Sequence, residues 1–191
     1  ERLRGGGYQL VALIENEAGY RNLCALITSG IFDGMQYKPR VDLDLLRAHA
    51  GGLIFLTGGL KGPIGKAVRK GRPEVARARI EALRGFLDPE HLYLELCDLG
   101  LEHQDEVNDA VRELAASQGL QTVVTNAVHY LEPEHAAVVE VLNAIGAGGS
   151  LAGQRPFTSP TDQAWLKPED EMRALFPSDA EALDRTAAIA E

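Results

Sequence analysis

The chain has 191 residues, 45% of them hydrophobic and 25% charged, with a formal net charge of −9. That length and balance suit one soluble domain of ordinary size. They exclude a membrane-spanning protein, since no apolar run approaches the roughly 20 residues of a span, and they argue against a broad phosphate-binding surface. No signal-peptide pattern is present. Cys24 and Cys97 are lone cysteines on predicted core elements, which points away from a disulfide scaffold and toward a reducing cytoplasm. The first residue is Glu1 rather than Met, so the sequence reads as a fragment or processed piece.

Taken in chain order, strand and helix alternate. Tyr8 to Ile14 is a β-run. Asn16 caps a helix with Tyr20, Leu23, Cys24 and Ile27 at helical spacing, ending at Gly30. Ile31 to Arg40 is a loop, and Asp42 opens a short helix carrying Leu45 and Leu46. Leu53 to Leu56 is an apolar strand with Thr57-Gly58-Gly59 as its exit. The basic stretch Lys61, Lys66, Arg69, Lys70, Arg72 reads as a solvated helix face with a basic C-terminal turn, ahead of the alternative of a nucleic-acid patch. Pro73 starts a helix turning Val75, Ile80, Leu83 and Phe86 inward. Leu92 to Leu96 is the next strand. Gln104 to Ser117 is an amphipathic helix with Val107, Val111, Leu114 and Ala115 on one stripe, stopped at Gly119. Val123 to Thr125 is the last strong strand, and Pro133 begins a helix running to Gly146.

The tail changes character. Gly146 to Ser159 reads as a connector. Gln163 to Leu166 is a candidate short strand around Trp165, Pro168 starts a brief helix, and Ser178 with Glu181 forms a capping-box pattern before a last helix. Residues 1–150 therefore read as an α/β domain and 151–191 as a connector with helices. Strands separated by helices imply parallel pairing in a sheet covered on both faces. Four strands are few for a closed barrel. Strands before residue 1 are expected, and with them an exposed sheet edge, giving a dimer or local disorder near residues 1–7.

In such a fold the strand C-terminal ends carry the chemistry. The side chains offered there are Glu15-Asn16, Thr57-Gly58-Gly59, Cys97-Asp98 and Asn126-Ala127-Val128-His129. A hydrolytic metal site needs several His or carboxylate ligands from these ends. Asp98 and His129 are the candidates and Glu15 stands behind them. Asp98 equally suits a cap on the turn before Gly100, and His129 a packed or hydrogen-bonded loop residue. The five histidines, His49, His91, His103, His129 and His135, contain no His-x-His pair. His49 falls at a helix end, and His103 and His135 at helix starts. Gly58-Gly59-Leu60-Lys61-Gly62 lacks the spacing and the Lys-Ser/Thr pair of a Walker loop. No dinucleotide fingerprint and no Gly-x-Ser-x-Gly elbow appear. The serines fall at helix ends or in loops.

Six ordered segments carry a resemblance: Asn16–Leu23, Lys38–Asp42, Gly52–Gly62, Tyr93–Leu96, Val123–Leu131 and Glu171–Pro177. Together they resemble the PHP (polymerase and histidinol phosphatase) domain of bacterial C-family DNA polymerases, the polymerase III alpha subunits. The resemblance runs from about Tyr8 to the end of the chain. It implies part of a distorted seven-stranded (β/α) barrel with parallel strands, followed by a helical extension toward the polymerase palm. In the family, a cleft at the strand ends binds up to three metal ions through His, Asp, Glu and sometimes Cys, and can support 3′–5′ exonuclease or phosphoesterase chemistry. The family's amino-terminal His-x-His would lie before residue 1, and the polymerase aspartates beyond residue 191.

The departures are specific. Family ligand positions fall on Gln9, Gly59, Leu99 and Ala127, and only His129 keeps the usual type. Glutamine is a poor ligand, and the other three offer no donor side chain, so most affinity for a trinuclear cluster should be lost. The expectation is a degenerate PHP domain, non-catalytic itself, with His129 a remnant ligand and Asp98 a second candidate. No cofactor is expected in this stretch. Zinc or manganese would be bound if upstream ligands survive in the parent, and magnesium would serve the parent polymerase. Expected partners are other replicase subunits, the proofreading subunit and sliding clamp among them, and DNA through the parent rather than strongly through this acidic stretch. No membrane partner is expected. The alternative is an active metal-dependent 3′–5′ exonuclease or phosphoesterase.

Overall fold

The computed structural model describes residues 7–35, 38–146 and 161–191. Most of the Gly146–Ser159 connector, and the segment before Gly7, therefore lie outside the described residues. The elements are β1 (Val11–Ile14), α1 (Glu17–Phe32), α2 (Leu43–Ala48), β2 (Leu53–Leu56), α3 (Pro63–Val68), α4 (Pro73–Arg84), β3 (Leu92–Cys97), α5 (Gln104–Gln118), β4 (Gln121–Thr125), α6 (Ala136–Gly146), α7 (Glu169–Leu175) and α8 (Ala180–Ala190). Short 3-10 turns at Gly59–Lys61, Pro89–His91 and Pro133–His135 precede α3, β3 and α6. The sheet has the order β1-β2-β3-β4. The chain divides into two compact units, one of residues 1–95 with 109–123 and one of residues 96–108 with 124–191.

In the first unit, the apolar run Leu53–Leu56 is buried along its whole length. It is joined by Leu92 and Leu94 of β3, Ile64 and Ala67 of α3, and Ala76, Ile80 and Leu83 of α4. Each fully buried Leu or Ile contributes about 1.5–3 kcal/mol of transfer free energy. The predicted starts of α1 and α2 hold: Asn16 Oδ1 accepts from Gly19 N at 3.1 Å, and Asp42 Oδ1 from Leu45 N at 2.8 Å. The side of α1 that is buried differs from the expectation. Gly19, Leu26 and Gly30 face inward, whereas Tyr20 and Ile27 are exposed, and so is Cys24. Close backbone approach decides this. A Cβ on Gly19 would stand 1.8 Å from the carbonyl oxygen of Gly52.

That contact also explains a second departure. β2 and β3 are parallel, with Phe55 opposite Leu92, but β1 runs antiparallel to β2, with Val11 opposite Leu56 and Ile14 opposite Leu53. Glu15 N donates to Gly52 O at 3.0 Å. The exit of β1 is thereby pinned at the entry of β2, an arrangement that only antiparallel pairing satisfies.

In the second unit, Cys97, Leu99, Tyr130 and Ala164 form an apolar cluster, with Leu101, Ala136, Val139 and Trp165 packed against it. The expected strand around Trp165 is a single parallel bridge between Tyr130 and Trp165. α8 starts from Asp179 with no side-chain cap, so Ser178 and Glu181 do not form the expected box. A reciprocal capping box does occur where Glu132 and His135 close the turn leading into α6.

Candidate functional site

The antiparallel β1 rearranges the expected gathering of strand ends. Glu15 leaves β1 beside the entries of β2 and β3, where its carboxylate meets His91 Nε2 at 3.2 Å. It therefore does not share the exit end with Thr57. The residue that does reach the β2 exit is Gln9, whose N–H donates to Lys61 O at 3.2 Å. Two of the divergent positions, Gln9 and Gly59, are thus brought to one corner of the first unit. Backbone fills this corner. Gly58 has φ +75, and a Cβ there would lie 2.2 Å from the Gln9 carbonyl oxygen. Thr57 is buried and accepts from Glu95 N at 2.9 Å.

The β3 exit belongs to the second unit. The Asn108 side chain accepts from Cys97 N at 3.3 Å and donates to Cys97 O at 3.0 Å, which satisfies the end of the strand in place of a neighbouring chain. Asp98 Oδ1 accepts from Gly100 N at 2.9 Å, the turn-capping role weighed for it from sequence. Leu99 is 8% exposed and sits inside the apolar cluster. Its N–H donates to Gln104 at 3.4 Å, and its carbonyl accepts from the Thr161 hydroxyl.

The β4 exit loop is laced to residues 164–166. His129 N donates to Ala164 O at 2.8 Å, and Leu166 N to Tyr130 O at 3.0 Å. Asn126 Nδ2 donates to Trp165 O at 2.6 Å. The other amide atom, Asn126 Oδ1, is buried without a hydrogen-bond partner among the described residues. His129 is exposed, with Nδ1 2.7 Å from the Ala127 carbonyl. That bond fixes the Nδ1–H tautomer and leaves Nε2 outward as an acceptor, the orientation metal-bound histidines use. Ala127 beside it adds only a methyl group.

An open pocket of about 380 Å³, small for a ligand site, is lined by Asp98, Leu99, Gly100, Thr161, Asp162, Gln163 and Leu175. Lys167 was not singled out by the sequence reading. It is 9% exposed, its ammonium donates to the Gln163 carbonyl, and it lies 5.3 Å from the Trp165 ring centroid. Burial pushes its pKa below the ordinary lysine value, while Glu171, Asp98, Cys97 and Asp162 pull it back up. No sequence pattern marks it, because a lysine before proline in a loop is ordinarily exposed.

Of the sequence-predicted ligands, His129 and Asp98 therefore both fall in the second unit, each already engaged locally. Among the described residues, no three His, Cys, Asp or Glu side chains come together as a group able to hold a metal ion. Among the described residues, the donors at the β3 and β4 exits do not make up the ligand set that the resemblance implies. Those donors are one histidine nitrogen and one turn-capping carboxylate, where a bound zinc ion calls for at least three protein ligands.

A family profile described as PHP domain matches residues 3–98. The chain is 36% identical over 184 residues to the DNA polymerase III subunit alpha of Treponema pallidum, covering 96% of this chain and 16% of that protein. It is also 36% identical over 192 residues to the protein of the same name from Thermus aquaticus, covering 98% of this chain and 16% of the relative. The Deinococcus radiodurans protein of that name is 34% identical over 97% of this chain and 14% of its own length. The chain thus spans about a sixth of the length of the curated relatives it matches. Among the described residues, no helix is long and apolar enough to cross a membrane. The strand and helix order, the β2 and β4 exit loops and these matches converge on one assignment: the chain belongs to the PHP domain family.

Proposed function

We propose that this chain is the PHP-domain segment of a DNA polymerase III alpha subunit, taking part in DNA replication with a degenerate metal site and a mainly structural or partner-binding role. In this reading residues 1–150 are part of a seven-stranded barrel, and 151–191 lead toward the polymerase core. The parent is a DNA-directed DNA polymerase that uses magnesium and works in the cytoplasm. Its partners are DNA and other replicase subunits, such as the proofreading subunit and the clamp.

The observation that carries the degenerate-site reading is the donor set at the β3 and β4 exits. Leu99 is packed into the apolar cluster, and Ala127 has no donor. Asp98 is committed to its turn. Lys167, held close enough to Asp98 and Asp162 to feel their charge, offsets part of the negative charge of these two carboxylates. What remains is scaffold chemistry. The apolar cluster and the hydrogen bonds from 161–166 fix the β4 exit loop, and α7 and α8 are tied through Arg173, which reaches Asp184 at 2.7 Å.

Metal analysis with a nuclease assay tests this. Purified protein should carry substoichiometric zinc and manganese and should show no chelator-sensitive release of nucleotides from a 3′ end. Stoichiometric metal together with such activity would establish the exonuclease or phosphoesterase reading instead.

A further inference from the structure

The acidic chain contains one strongly basic segment. Seven of its 19 Lys and Arg residues fall between Lys61 and Arg79, where Glu74 is the one acidic residue. Arg69, Lys70 and Arg72 sit on the α3–α4 turn, and Lys66, Arg77 and Arg79 on the two helices it joins. Lys66 lies close enough to Lys70 and Arg79 to feel their charge, which, after burial, helps lower its pKa. The turn is rigid: Arg72 N donates to Ala67 O at 3.0 Å and Gly71 N to Val68 O at 2.8 Å, with Gly71 at φ +63. This is the helix-ending motif that uses a left-handed glycine.

Two of the cations have internal tasks. Arg79 donates to the Pro63 carbonyl at 2.5 Å and lies 4.1 Å from the Tyr8 ring centroid, and Lys66 donates to the Gly7 carbonyl at 2.8 Å. Arg69, Lys70, Arg72 and Arg77 are exposed. None of these four ion-pairs with a carboxylate among the described residues. The helix dipole accounts for Arg69 and Lys70 at the end of α3, but Arg72 is the N-cap of α4, where the dipole disfavours a cation. Unneutralised like charges fixed on one rigid turn, partly against the local dipole, are the construction of an anion-binding surface.

We infer that the α3–α4 turn, with Arg69, Lys70, Arg72 and Arg77, is a docking surface for the phosphate backbone of duplex DNA, read without regard to sequence. Three observations select this occupant. Arginine's planar fork matches phosphate oxygens, and three of these four cations are arginines. The aromatic residue at the patch, Tyr8, is 45% exposed, but its ring is engaged by Arg79 and Lys66, which competes with stacking on a single-stranded base. None of the residues of the turn itself is a large exposed hydrophobic, so the turn carries no wedge of its own for a bilayer. This surface is independent of the metal-site reading, and it is narrow enough to coexist with a net charge of −9.

Fluorescence anisotropy with a short labelled duplex, using the full 191-residue chain, tests the inference. Wild type should bind in the non-specific range, about 10⁻⁶ to 10⁻⁴ M, with log affinity falling by roughly 0.9 per engaged phosphate for each decade of salt. The triple variant Arg69→Glu, Lys70→Glu, Arg72→Glu should weaken binding at least tenfold and flatten that salt slope. Arg77→Glu alone, a milder change that keeps the turn intact, should weaken it severalfold, and Arg21→Glu, outside the patch, should leave it unchanged. Circular dichroism on each variant checks the fold. Unchanged affinity in both patch variants would overturn the inference. So would wild-type binding to phosphatidylserine vesicles with none to duplex.

Discussion

The β2 and β4 exit loops, where the proposed reading puts two lost ligand positions, differ physically. At the β2 exit the backbone itself has closed. Gly58 takes a left-handed conformation, and a Cβ there would lie 2.2 Å from the Gln9 carbonyl, while Gly59 follows at φ +50. At the β4 exit the backbone still presents an outward histidine with its tautomer fixed by the Ala127 carbonyl, and the missing donor is a matter of one exposed side chain. On the proposed reading, the first loop exchanged a ligand for packing and the second lost one without a packing commitment. A donor side chain should then be resisted at the β2 exit and accepted at the β4 exit.

Substitutions can break or sharpen this contrast. Gly58→Ala should have the largest effect, because it adds strain at positive φ to a backbone clash. A loss of about 3 kcal/mol, or roughly 6–12 °C in Tm, is expected by thermal denaturation. An unchanged Tm would show that the β2 exit is not closed by packing. Leu99→His places the residue type expected from the resemblance inside the apolar cluster. It should cost about 2 kcal/mol in urea denaturation, because an imidazole replaces a buried leucine among Cys97, Tyr130 and Ala164, and added zinc should not recover it. Ala127→Asp sits on an exposed turn and should move stability by no more than about 0.5 kcal/mol. A large loss there would erase the distinction between the two loops.

Much of this was legible in the sequence where local chemistry decides. Asn16 and Asp42 cap the helices they were expected to cap, and the apolar run Leu53–Leu56 and the glycine stop at Gly119 are as read. What the sequence did not reveal depends on long-range contacts. The direction of β1 follows from the Gly19–Gly52 contact, which no periodicity encodes, and it moved Glu15 away from the strand exits and brought Gln9 to them. The same contact turned α1 so that Tyr20, Cys24 and Ile27 face outward. Lys167 is buried by its approach to Gln163 and Trp165, again a tertiary event. At the candidate site, His129 and Asp98 were visible as residue types. Their engagement with Ala127 and Gly100 required coordinates.

The central claim, that this PHP segment has lost its metal site, is tested most directly by counting metal. The protein would be purified without chelator, incubated with excess zinc or manganese, desalted and analysed by inductively coupled plasma mass spectrometry. The account predicts well under one equivalent of either ion per chain. One or more equivalents retained, and lost on replacing His129 with alanine, would contradict it.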